Sequence, residues 1–478
     1  MNTQMNIRGT LAGLLAVSGL LAGTTTPAAG QPIQGMPVPE LANFDTLMTG
    51  FMSANDIESA LLGIMKDGVI VYQRGFGWKD KPNTIPLRHD ALLRIASCTK
   101  PITAAAIQRL IAANVIDDTD NVFNLGQPGG GILPIASFGP LADARYNQIQ
   151  VQDLYTHTSG LPSNSNPDPT YQEVAIANAM GVASPPGRVN TMSWIMGNRA
   201  LSNNPGAQRN YSNVGFLAAG LVIEQASGMS HNNYVRQNVF GPMDWTPVTE
   251  VVRGRTFPAS RDPREPWYDD DSMVQNVFDP GGDSVRKPDG GWDHESRVGQ
   301  GGYVVSTTAL LHLAEMYYIS DQQNASTDYG TLVNGNRQYR WHNGSMPGGT
   351  MSMLVQRADG VNYAVIFNKN GNDVNSADPN NPTGYHFAIQ SLIDTAIANG
   401  GFTWPTQGVD GQWVDFAGAF PGAGSFEVPW GAMSVALADS PDEATLNFQA
   451  GSTVWTGTIN QKVRLRAPQG GVVRIGQL

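Results

Sequence analysis

The sequence predicts an α/β (α+β) fold: one antiparallel β-sheet flanked by helices, an inserted all-helical lobe, and a small all-β unit at the C-terminus. Three observations predict it. Two turns, Lys66-Asp67-Gly68 and Ala358-Asp359-Gly360, each lie between apolar runs although they are far apart in the chain, and Asp-Gly in that setting is a strong hairpin signal. The stretch between them combines apolar residues at helical spacing with Gly/Pro/Asn-rich loops. From about Gly401 the chain breaks into short apolar runs divided by Gly, Pro, Ser and Asp. At 478 residues the chain can bury a large core and hold more than one unit.

The elements follow in order. Residues 1–30 carry Arg8, the apolar stretch Leu11 to Leu21 and the small residues Ala28-Ala29-Gly30. These are the parts of a secretory signal peptide cleaved near Gly30, so the expectation is an exported protein, periplasmic or secreted. No segment reaches the roughly 20 apolar residues of a membrane-spanning helix, so no membrane insertion is expected. Residues 31–40 are a Pro-rich linker opening a main domain over 31–400. Residues 41–60 predict a helix (Leu41, Phe44, Leu47, Met48, Phe51), and Leu61 to Gly77 the first hairpin. The helical lobe spans about 110–300. Thr350 to Gln356 and Val361 to Phe367 form the second hairpin, and Phe387 to Ala398 predicts an amphipathic helix (Ile389, Leu392, Ile393, Ala396). In the C-terminal unit, 401–478, the strand candidates are Ser425–Val428, Ala432–Ala438, Thr445–Phe448, Thr453–Ile459, Val463–Arg466 and Val472–Ile475. That tail shows no site of its own, and packing or stability is favoured over polymer binding.

Lysine and arginine total 29 against 40 acidic residues, a net charge of −11. This argues against a nucleic-acid partner, which needs clustered cations. The single cysteine, Cys98, excludes an intrachain disulfide.

Chemistry is concentrated at Ser97-Cys98-Thr99-Lys100. On a helix, residues three apart share a face, and an amine there can take the hydroxyl proton and make serine a nucleophile. A second Ser-x-x-Lys, Ser284 to Lys287, is followed by Pro288-Asp289-Gly290-Gly291 and reads as a turn. The first opens a helix, because Ile102, Ala106, Ile107, Leu110, Ile111 and Val115 recur at helical spacing. With Ser97 as N-cap, Pro101 falls in the first turn, where proline is tolerated. Cys98 is the rival nucleophile, but adjacent helical residues do not share a face.

Two further stretches can complete a site. In Tyr211-Ser212-Asn213, a phenol ionised beside lysine can act as base, and the asparagine amide can orient a substrate carbonyl. It lies in a loop leading into the apolar run Val214 to Ile223. His342-Asn343-Gly344 precedes Ser345 and the second hairpin, where a strand edge offers a backbone N–H as an oxyanion donor and glycine permits close approach.

Taken together, these three motifs resemble the serine β-lactamase and D-Ala-D-Ala peptidase superfamily, and most nearly its class C β-lactamase-like branch, with the family VIII carboxylesterases and D-aminopeptidases. Asp153 to Pro162 is similar to that branch's Leu-Leu-Thr-His-Thr-Ser-Gly-Leu segment, Asn204-Pro205-Gly206 before Tyr211-Ser212-Asn213 to its Pro-Gly…Tyr-Ser-Asn segment, and Gly301 to Thr307 to its Gly-Gly…Ser-Thr turn. The resemblance covers roughly residues 40–400 and implies a β-lactamase/transpeptidase-like fold. It implies Ser97 as the acylated nucleophile and proton transfer shared by Lys100 and Tyr211, Tyr211 being the base toward the leaving group. Asn213, His342 and Gly344 would bind substrate, and the backbone N–H groups of Ser97 and Ser345 would form the oxyanion hole. His157 is structural on this reading, and no metal or cofactor is needed. Asp269-Asp270-Asp271 and the loop Asn368 to Asp378 are candidate calcium ligands, with solvated loops the favoured reading. Pocket walls are expected within residues 253–300, with Trp267, Tyr268 and Trp292.

True β-lactamases of this branch carry lysine where this chain has His342. A histidine of ordinary pKa, about 6.5, is mostly neutral at pH 7, so efficient β-lactam hydrolysis is not expected. The expected function is an exported serine hydrolase, carboxylesterase-type, acting on a small-molecule ester, amide or peptide through an acyl-enzyme. The alternatives are a D-amino-acid-specific peptidase or amidase, or a D,D-carboxypeptidase. A non-catalytic binding protein on the same scaffold is the reading from another class, and none of the three motifs is broken.

Overall fold

The computed structural model describes residues 30–475, apart from 126–129, 163–166, 244–247, 322–323, 376–382 and short stretches between 417 and 472. The leader expected over residues 1–30 therefore lies outside the described residues but for Gly30, and so does most of the Ser425–Val428 strand candidate.

The two hairpins join in one sheet. Its strands are β1 (Ile33–Gln34), β2 (Ser59–Lys66), β3 (Val69–Gly77), β4 (Arg340–Met346), β5 (Thr350–Gln356) and β6 (Val361–Phe367). They run in the order β1-β3-β2-β6-β5-β4, and every pairing is antiparallel. Asp67 and Gly68 both have positive φ, 48° and 79°, as a type I′ hairpin turn requires. β5 and β6 are buried along their whole length, which requires cover on both faces.

Alternation along β6 shows the two layers. Tyr363 donates to Gln390 O, and Phe367 packs on Phe51 and Tyr385. That face is covered by α1 (Ala42–Ala54) and the helix Tyr385–Asn399. On the other face Asn362 donates to Glu315 in the helix Thr307–Met316. That helix lies so close that a Cβ at Gly63 would be 2.9 Å from Thr307 and Leu311.

The remaining helices follow α2 (Thr99–Ala112) and include Glu173–Met180, Gly187–Asn198 and α3 (Asn213–Ser227). Helical structure ends near Phe240; residues 251–297 form only short strands and 3-10 turns, so the lobe is less helical over its last third than expected. Among the described residues no helix is long and apolar enough to cross a membrane.

Several expected boundaries shift. The helix expected over 41–60 ends at Ala54, because Asn55 folds back on Phe51 and Met52 and Asp56 takes positive φ, 52°. Residues Ala432–Ala438, expected as a strand, form the helix Met433–Asp439. Met433 and Ala436 bury one helical face, and alanine and leucine are strong helix formers. Of the strand expected at Thr453–Ile459, the described strand Gly451–Thr453 takes in Thr453, and Val454 and Thr456 lie outside the described residues. The C-terminal unit is thus not all-β, although Ala444–Phe448, Val463–Arg466 and Val473–Ile475 are strands. The acidic run 269–271 is committed to cations: Lys369 to Asp269, Lys287 to Asp270, and Lys81 and Arg286 to Asp271.

Candidate active site

Ser97 sits where α2 meets the sheet. A 3-10 turn, Ala96–Cys98, leads directly into α2, so Ser97 lies inside the first turn rather than at its cap. Lys100 is helical although it precedes Pro101. The sheet clamps this turn from below. Thr350 donates to Arg94 O at 2.6 Å, Ser352 to Ile95 O at 2.7 Å, and Cys98 Sγ to His342 O at 3.2 Å. Ala96 takes φ +45°, a left-handed conformation that costs an alanine about 1–2 kcal/mol. Gly344 faces it: a Cβ there would stand 2.2 Å from Ile95 O and 3.2 Å from Ala96 Cβ. Glycine at 344 thus lets the edge strand close on the nucleophile turn.

Lys100 is completely buried, and its Nζ has three polar neighbours. Asn213 Oδ1 and Gln300 O each lie at 2.8 Å, and Ser97 Oγ at 3.0 Å. The first two accept only in this arrangement, so they take two N–H hydrogens. A neutral amine has two. Its lone pair then points along the remaining direction, at the Ser97 hydroxyl, which is the geometry of a general base. The protonation balance agrees: burial pushes Lys100 down from 10.5 to about 7, partly offset by the negative charge of Asp168.

Tyr211 hydrogen-bonds Ser97 from the other side. Its ring lies 4.9 Å from Lys100 Nζ and 4.4 Å from the His157 ring. Burial pushes the phenol above its ordinary value. At neutral pH the phenol therefore keeps its proton, and the buried amine is the group with a lone pair available. His157, in the left-handed region at φ 62°, accepts the Ser212 N–H through Nδ1 at 3.1 Å and so fixes the Tyr211 loop. Ser212 caps α3 by accepting from Gly215 N, which puts Asn213 at the first turn.

Asn213 is a bridge. Its Oδ1 faces Lys100, and its Nδ2 donates to Asp168 Oδ2 at 2.8 Å. Asp168 also accepts from Thr170 N and Oγ1, each at 2.9 Å. Nothing in the sequence marked Asp168.

A cavity of about 250 Å³ opens beside Ser97. Its wall includes Asp168, Tyr171, Asn213, Arg297, Gln300 and Ser345. His342 and Gly344 do not line it directly; on β4 they share a face with Met346, which does, and both lie buried, Gly344 against Ala96. Burial and the nearby Lys100 push His342 down to about 3, so the ring is neutral. Cys98 points away from the cavity, held by His342 O and Ser352, and burial pushes its thiol up to about 12. The aromatic walls expected from 253–300 are not in place. Tyr268 is buried on Arg94 and Glu265, and Trp292 packs against Ala96 and Met346 behind the wall. From that region it is Arg297, Gln300 and Gly301 that line the cavity. Gln300 directly precedes the Gly301-Gly302 turn, the one sequence signal that pointed near it.

A family model described as Beta-lactamase matches residues 44–428. Protein flp of Staphylococcus aureus (strain NCTC 8325 / PS 47) is 23% identical over 202 residues, 42% of this chain and 36% of its own length. Penicillin-binding protein 4* of Bacillus subtilis (strain 168) is 28% identical over 195 residues, 40% of this chain and 37% of its own length. The matches therefore span little more than a third of these relatives. Among solved structures, D-amino acid amidase from Ochrobactrum anthropi SV3 superposes with TM-score 0.49 and 18% identity, covering 75% of this chain and 99% of that one. A penicillin-binding protein from Bacillus halodurans gives TM-score 0.48 and 18% identity over 73% and 99%. With the family match extending over most of its length, the chain belongs to the beta-lactamase family.

Proposed function

We propose that this hydrolase cleaves esters of neutral acyl groups through an acyl-enzyme on Ser97. Neutral Lys100 takes the Ser97 proton as Oγ attacks the carbonyl carbon. Backbone N–H groups of Ser97 and Ser345 hold the oxyanion. Tyr211 gives its phenolic proton to the leaving group and recovers one from Lys100, and water then releases the acyl group by the same steps reversed. Asn213 holds Lys100 in place from Asp168.

The observation that carries the substrate class is the charge of the cavity. Its wall holds one carboxylate, Asp168. The guanidinium in the wall, Arg297, is committed to Glu173 at 2.8 Å and to Thr170 O. His342 is neutral, and Lys100 is half neutral near pH 7. A substrate carboxylate therefore meets Asp168 with no uncommitted cation among the described lining residues, and this disfavours β-lactams and D,D-carboxypeptidase substrates. The volume, below the roughly 300 Å³ at which drug-sized sites begin, favours short acyl groups. Asp168 also supports a second reading, hydrolysis of aminoacyl amides whose ammonium faces that carboxylate. Export is proposed from the leader-like composition of residues 1–30.

The test is a panel of p-nitrophenyl butyrate, D-alanine p-nitroanilide, D-alanyl-D-alanine peptides and benzylpenicillin. The ester is expected to be turned over fastest, with the two carboxylate-bearing substrates at least about 100-fold lower in kcat/KM, two factors of ten at about 1.4 kcal/mol each. Penicillin or D-alanyl-D-alanine turnover matching the ester would overturn the proposal; faster anilide turnover would favour the second reading.

A further inference from the structure

Asp168 stands between Pro167 and Pro169. A residue before proline is steered to extended backbone, and Asp168 takes φ −64° and ψ 123°. Its carboxylate divides its two oxygens between two partners. Oδ1 accepts from Thr170 N and Oγ1, each at 2.9 Å, and caps the turn Pro169–Tyr171. Oδ2 accepts from Asn213 Nδ2 at 2.8 Å. A carboxylate only accepts, whereas a carboxamide accepts at one end and donates at the other. With its Nδ2 held by Asp168, Asn213 turns Oδ1 to Lys100 Nζ, at 2.8 Å. The reversed amide would set two acceptors against each other at Asp168. It would also aim an N–H at the Lys100 lone pair and draw that pair away from Ser97 Oγ.

We infer that Asp168 is a positioning residue: it fixes the orientation of the Asn213 carboxamide and through it aims the Lys100 lone pair at Ser97. This rests on the acyl-enzyme reading above, with Lys100 as base, and adds the group that points the base at the nucleophile. Asp168 also supplies the negative charge felt by the amine. Among the described residues, the other titratable groups around the pair are uncharged. Burial pushes His157 and His342 down, Cys98 up to about 12, and Tyr211 and Tyr171 above their ordinary values. Removing the Asp168 charge therefore takes Lys100 further below about 7.

The test compares Asp168→Asn with Asp168→Ser in the full chain, with p-nitrophenyl butyrate as substrate. Both replacements can cap the turn at Thr170, and both lose the charge. Asparagine, with its carbonyl oxygen on Thr170, sets an N–H opposite Asn213 and favours the reversed amide. Serine is too short to reach Asn213 and leaves room for water. The closer mimic is therefore expected to be the slower enzyme: kcat falls about 10²-fold in Asp168→Asn and about three- to tenfold in Asp168→Ser, with KM within about threefold in both. In both variants the rise of kcat/KM with pH is expected to move below pH 7, because without the carboxylate Lys100 is neutral at lower pH. Asp168→Ser as slow as Asp168→Asn or slower, a loss carried by KM, or a rise that stays near pH 7 overturns the inference while leaving the acyl-enzyme intact. Fluorophosphonate labelling of Ser97 and thermal melting report whether each variant is folded; failure of either to fold assigns Asp168 to the fold and also overturns the inference. A wild type that neither labels nor hydrolyses the ester overturns the acyl-enzyme reading and the inference with it.

Discussion

Lys100→Ala is expected to lower kcat/KM for ester hydrolysis by about 10²–10⁴-fold, the range for loss of a positioned general base. The amine contacts Ser97 Oγ at 3.0 Å, and two carbonyl oxygens take its hydrogens. The variant leaves Asn213 Oδ1 and Gln300 O without that donor. The vacated space is polar and can admit water to both, so the fold is expected to survive. Circular dichroism and thermal melting check this. The same account fixes a pH profile. The base must be neutral, and its pKa is about 7. Wild-type kcat/KM is therefore low at pH 5, rises through about pH 7 and levels off above about pH 8. A lysine at its ordinary value near 10.4 would give a rate still climbing at pH 9. The limb near pH 7 should vanish in Lys100→Ala.

Tyr211→Phe is expected to lower kcat/KM by about 10²-fold or more. It keeps the ring on His157 at 4.4 Å and under Lys100 at 4.9 Å, and removes only the hydroxyl that bonds Ser97. The residual activity separates the two proton carriers. With Lys100 as base, the slow variant retains the rise near pH 7. With an ionised Tyr211 as base, the variant loses that limb. The phenol is held above its ordinary value by burial, so the retained limb is the expected result.

Much of this was legible in the sequence because it is local. Asp67-Gly68 needs two positive φ angles and implies one kind of turn; the strands on either side of Ala358-Asp359-Gly360 were read to the residue. Ser97, Lys100 and Tyr211 were legible because their chemistry depends on spacing and order, and the fold brings them within hydrogen-bonding reach of one another. What the sequence concealed is set by tertiary environment. Burial, the largest cause in each case, favours a neutral Lys100 amine and a protonated Tyr211 phenol, and no motif records burial. Asp168 and Gln300 reach the cavity from loops without periodicity. Trp292 has the composition of a pocket wall, yet it fills the space behind Ala96. His342 is buried and neutral on the inner face of β4, which its order along the chain does not record. In the tail, Ala432–Ala438 alternates well enough for a strand and is helical because Met433 and Ala436 share one buried helical face.

The central claim is that Ser97 is the residue acylated. Intact-mass spectrometry after reaction with a fluorophosphonate tests it most directly. The wild type is expected to gain the mass of one adduct, mapped to the peptide carrying Ser97, and Ser97→Ala to gain none. An adduct that still forms in Ser97→Ala, or one mapped to a residue other than Ser97, would contradict the account.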